Sequence, residues 1–169
     1  MLRCSRAYCW REGAGAKMNF AMQKEALAKE LTDLTVRLEK AIVNCPDSIW
    51  ESDLKNPRYW YLVYHALFFM DLHLSDSPKR FRPPDPFAIV GIDFSGKNRA
   101  PAYSKEQLLR YVMHVRKKST SKTESLIESG IRNRCGFPWL NLDVEELLLY
   151  TIKNVSAYIV QLGALLDSD

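Results

Sequence analysis

Histidine and cysteine are both scarce in this chain: three of the first and four of the second in 169 residues. Cys4, Cys9, Cys45 and Cys135 form no C-x-x-C pair and no spacing that joins a histidine into a zinc site, so a reduced, cytoplasmic protein is predicted. Long apolar runs are missing too. A membrane-spanning helix needs about 20 uninterrupted apolar residues, and the most apolar stretch here, 60–74, is broken by His65, Asp71 and His73. A soluble protein with no membrane partner is expected. The N-terminal segment is basic but lacks the apolar core of a secretory signal, so export is not expected. Alternating strand patterns and internal repeats are absent as well.

What is there is an ordinary globular composition, 47% hydrophobic and 26% charged, in one domain-sized chain. The net charge of +4 comes from Lys and Arg scattered along the chain, with Arg3, Arg6, Arg11 and Lys17 contributing early. No specific nucleic-acid partner is predicted from so diffuse a charge. The one internal basic cluster, Arg116-Lys117-Lys118 with Lys122, reads as a solvated helix end, where cations complement the helix dipole. Met18 follows Gly13-Ala14-Gly15-Ala16, so residues 1–17 read as a poorly ordered extension and 18–169 as the domain.

Leu27, Leu31, Leu34, Leu38 and Ile42 recur at spacings of four and three, predicting an amphipathic first helix over 19–44 that Pro46 stops. A second helix is expected from Asn56 as cap and Pro57 in the first turn to about Leu74, apolar nearly all round and therefore the most buried. The connection 75–103 is long and rich in Pro, Gly, Asp and Ser, the kind of loop that often covers a site. Within it, 88–92 reads as loop because a lone strand has no partner. Ser104-Lys105-Glu106-Gln107 is a capping box that opens a third helix fading near Ile127. After a break over 129–138, a second box, Asp143-Val144-Glu145-Glu146, opens the fourth. These elements predict an all-α, antiparallel four-helix bundle with long connections between helices two and three and between three and four.

His65, in the middle of the most buried helix, needs a hydrogen-bond partner or a metal to offset its desolvation. A satisfied core histidine is the plainer of those readings. Asn154, Tyr158 and Gln161 of the last helix fall in a stripe about 60° wide, which makes either a solvent face or the polar lining of a pocket. His73 is expected at the bundle edge or in solvent, and His114 has no carboxylate nearby in sequence. Neither belongs to a Ser-His-Asp or Cys-His arrangement. Asp71, in an aromatic helix, must pair if buried, with the long loop as one candidate.

Four segments carry a family resemblance. WYLVYHALFFMDLHL over 60–74, Phe81-Arg82-Pro83-Pro84-Asp85-Pro86-Phe87, Tyr103 through Tyr111, and Asn154 through Leu162 resemble, in order and spacing, the corresponding segments of the DinB-like proteins. The resemblance covers roughly residues 19–166. It implies a site in which one histidine from helix two and two from helix four hold nickel or zinc; characterised members include thiol-dependent S-transferases. The first ligand matches His65, but the other two match Asn154 and Tyr158, the intervening family histidine matches Ala157, and Gln161 is retained. One imidazole with a neutral amide and a phenol of pKa about 10 is a poor set for a metal that usually needs three or four ligands. No metal and no cofactor are therefore expected, and the three residues suit one another as a hydrogen-bonded trio.

Three functions follow as readings: a metal-free DinB-like protein binding a small apolar or amphipathic ligand or a protein partner between helices two and four; an enzyme, either a metal-dependent hydrolase or S-transferase with an altered site or an acid-base catalyst using His65 and Tyr158; and a nucleic-acid module. The first is preferred, with a homodimer implied by the resemblance.

Overall fold

The computed structural model describes residues 6–52, 57–87 and 103–167, with side chains from residue 19 onward. Among them are six helices: α1 (Arg6–Asn44), α2 (Asp47–Trp50), α3 (Tyr59–His73), α4 (Lys105–Glu124), α5 (Glu128–Ile131) and α6 (Val144–Asp167). No strand occurs among the described residues, only an isolated bridge between Arg134 and Asp143. The all-α expectation therefore holds. No described helix is long and apolar enough to cross a membrane.

The first helix starts earlier than expected. Helical backbone runs from Arg6 through Gly13–Ala16, where the sequence suggested a poorly ordered extension. No proline interrupts this stretch, and Gly13 and Gly15 each cost a helix only about 1 kcal/mol. From Leu27 onward the spacing works as read, since Leu27, Leu31, Leu34, Leu38 and Ile42 are all buried. Pro46 ends α1 and serves as the N-cap residue of α2. Arg58 rather than Asn56 occupies the N-cap position of α3, which puts Pro57 just outside the helix; Asn56 lies outside the described residues. Almost every residue of α3 is buried, as its all-round apolarity requires.

Both capping boxes form. The Ser104 hydroxyl accepts from the Gln107 amide at 3.2 Å while Gln107 accepts from the Ser104 amide at 2.8 Å. Asp143 and Glu146 make the same reciprocal pair, both at 2.8 Å. Each box satisfies two amides that the first turn of a helix leaves without partners.

Helix α1 packs on α4 and α6, and α3 packs on the same two helices, so one main core lies among the four long elements. Phe81 and Phe87 of the long connection insert into it from the α3–α4 side. Phe81 meets Phe68 edge-on at 5.0 Å, and Phe87 stacks on Tyr111 at 4.4 Å. The strand-or-loop segment 88–92 lies outside the described residues. A smaller second cluster, Cys135, Phe137 and Leu147 with Leu72, Leu140 and Leu142, holds the α5–α6 connection against the end of α3.

Candidate functional site

Two ridges of α3 face different neighbours. Tyr61, His65, Phe69 and His73 recur every fourth residue and meet α6; Tyr64, Phe68 and Asp71 turn toward α4 and the long connection. The site expected from the sequence lies on the first ridge. His65 is buried at 8% exposure, and its ring stands edge-on to Tyr158 at 5.3 Å, with Phe69 at 4.7 Å and Tyr61 at 5.8 Å. Two of the three residues singled out in the sequence, His65 and Tyr158, are thus ring neighbours across the α3–α6 seam. Asn154 is half-buried one turn before Tyr158 on α6, whereas Gln161 is exposed, at the edge of the face rather than inside it. The described part of the 75–103 connection does not cover this face. Its two phenylalanines dock on the opposite ridge, because Tyr64, Phe68 and Tyr111 give them an aromatic seam to fill.

Burial sets the protonation state here. It pushes the His65 imidazole down to about 4, so the ring is neutral at physiological pH. Burial also raises the Tyr158 phenol, with a smaller contribution from Tyr150, so that Tyr158 remains a protonated donor. One neutral imidazole, one phenol and one amide fit a divalent metal badly. Among the described residues no three of His, Cys, Asp or Glu come together as a metal-holding group.

His73 corrects the sequence reading. It is buried at 6% exposure, with Nδ1 3.0 Å from the Thr151 hydroxyl and its ring against Phe137 at 5.7 Å. The edge position expected for it is roofed by the α5–α6 connection, which helical pitch alone could not reveal. Burial lowers this imidazole also to about 4.

Asp71 pairs as a buried carboxylate must, but with α4 rather than with the loop. Lys118 Nζ lies 2.5 Å from Oδ1, Tyr111 donates to Oδ2 at 3.0 Å, and His114 Nε2 stands 3.4 Å from Oδ1 without hydrogen-bond geometry. His114 therefore does have a carboxylate beside it, brought by the fold. The basic cluster is likewise not a solvated end. Arg116 reaches Glu39 at 2.5 Å, Lys118 reaches Asp71, and Lys122 reaches Asp76 at 3.1 Å, leaving Lys117 as its exposed member. These residues point to different faces of α4, and partners on α1 and at the end of α3 meet them there.

Comparison with protein-family models, with curated proteins and with solved structures finds no match to this chain.

Proposed function

We propose that this chain is a metal-independent, DinB-like binding protein in which α1, α3, α4 and α6 form an antiparallel four-helix bundle. The α3–α6 face around His65, Asn154 and Tyr158 takes a small amphipathic molecule. The observation that carries this reading is the contact of His65 with Tyr158 across the α3–α6 seam. Aromatic rings flank a neutral imidazole there, and a half-buried amide lies one turn away. That combination suits a ligand with a flat apolar body and one or two hydrogen-bonding groups. It does not suit a cation, for which the donor set is too weak. Exposed Leu149, Tyr150 and Val160 on α6 support the homodimer that the resemblance implies.

Native mass spectrometry tests the metal-independent and homodimer parts of this reading in one measurement. The protein purified without chelator and exposed to Ni²⁺ or Zn²⁺ is expected at dimer mass with no metal retained. The double variant Asn154→His, Tyr158→His should gain about one metal ion per chain, because it restores the three-imidazole set. About one tightly held transition metal per wild-type chain would sink the metal-free reading in favour of a hydrolase or thiol S-transferase. A double variant that still binds nothing would mean that the three positions do not converge, and a monomer mass would remove the homodimer.

A further inference from the structure

A cavity of about 270 Å³ lies at the far end of α3, away from the His65 face. Its wall combines His73, Lys122, Arg134 and Asp76 with an apolar floor of Leu147 and Leu148. The Thr151 hydroxyl donates to the Leu147 carbonyl at 2.8 Å, so its proton is committed. At 3.0 Å from His73 Nδ1 it must then accept, which places the imidazole proton on Nδ1 and leaves Nε2 as an acceptor. Among the described residues Nε2 has no hydrogen bond, and it is not one of the sealed polar atoms of the interior.

The cations are available for an anion. Lys122, whose side chain is 17% exposed, holds Asp76 at 3.1 Å, but Asp76 also receives Arg80 at 3.2 Å from outside the cavity wall. A second carboxylate can therefore take Lys122 without leaving Asp76 unpaired. Arg134 bonds Asn141 through one Nη atom, and its planar guanidinium keeps further donors. The lining thus carries two cations against one anion. It also has one neutral acceptor and an apolar base.

We propose that this cavity is a binding site for a small carboxylate that bears a hydroxyl or amine donor on a short branched apolar stem. The carboxylate meets Lys122 and Arg134, the donor reaches His73 Nε2, and the stem rests on Leu147 and Leu148. The volume suits a metabolite of a few carbons rather than a drug-sized molecule.

The test uses 2-hydroxyisovalerate, with isovalerate as the probe lacking the hydroxyl and 2-hydroxyisovaleramide as the probe lacking the charge. Two readouts apply to the full chain: the His73 ring resonances by NMR, and protection of Cys135, which lines the cavity, from iodoacetamide, read by peptide mass spectrometry. 2-Hydroxyisovalerate is expected to shift His73 and slow Cys135 alkylation, and each truncated probe to bind about tenfold more weakly. Lys122→Met should reduce the preference for carboxylate over amide, since only Arg134 then remains to meet the charge. Should that variant fail to fold, Arg134→Leu, at an exposed position, serves the same purpose. The proposal is overturned by no response up to about 10 mM, beyond the range a few such contacts should reach. Equal binding of the three probes, or an unchanged preference in both variants, also overturns it. A shift at His65 instead of His73 would overturn it too, and would assign the probe to the other face.

Discussion

At the scale of single residues, Asp71 governs how α3 meets α4. Its carboxylate is fully buried, and leaving such a charge unpaired costs several kcal/mol. Tyr111, His114 and Lys118 stand at i, i+3 and i+7 on α4, which aligns them on one face and delivers all three to the same carboxylate. Lys118 also donates to the Asp71 carbonyl at 2.9 Å and to the Ser75 hydroxyl at 2.7 Å, so one ammonium group ties the end of α3 together. We expect Asp71→Leu to destabilise the protein by roughly 3–5 kcal/mol, because a partly buried ammonium and a buried phenol lose their acceptor. Adding Lys118→Met should recover a substantial part of that loss, since an apolar pair in place of an ion pair is often tolerated. Urea denaturation of the two single variants and the double variant measures the coupling. Additive losses would show that the two groups act independently.

At the scale of elements, the connection between α5 and α6 decides more than its length suggests. Gly136 lies so close to the turn after α3 that a Cβ there would come within 1.8 Å of the Asp76 carbonyl oxygen. That oxygen is backbone and cannot swing aside, so Gly136→Ala must push the two segments apart. The cluster of Cys135, Phe137 and Leu147 would open with them. A loss of roughly 2–4 kcal/mol follows from such overpacking, together with a rise of the His73 pKa from about 4 toward its ordinary value as the roof lifts. Calorimetry and histidine NMR read the two effects, and an unchanged melting temperature with His73 still depressed would refute the account. The same connection explains what the sequence concealed. Helix starts at Ser104 and Asp143 were legible because a capping box is local, four residues closing on themselves. The burial of Leu27 through Ile42 was legible because helical period fixes a face. His65 and Tyr158 were brought together by the resemblance, and the structure places their rings in contact. The surroundings of His73 and the partners of Asp71 were not legible, because the α5–α6 connection and α4 are distant from α3 in sequence and nothing local says which of their residues meets it.

At the scale of the whole molecule, the two buried histidines on the α6-facing ridge of α3 make stability depend on pH. Both are depressed to about 4, and desolvation is the cause in each case. The unfolded chain binds protons at an ordinary histidine pKa near 6.5, whereas the folded chain does not until about 4. Between those values the unfolded state holds more protons, so stability rises with pH; it is fully retained above about 6.5 and lost as pH falls toward 4. Each histidine contributes a slope approaching roughly 1.4 kcal/mol per pH unit in the middle of that window. The interval lies mostly above the titration of carboxylates such as Asp76, which Lys122 holds below the usual range. Urea midpoints measured from pH 7 to pH 4.5 should therefore fall steeply in the wild type. His65→Phe, and separately His73→Gln, should each remove about half of the slope whatever they do to the stability at pH 7. The reading is of the slope rather than the absolute value, so packing losses in either variant do not obscure it. A wild-type slope retained in both variants would mean that the acid sensitivity comes from other groups, and that neither imidazole is held neutral by the seam between α3 and α6.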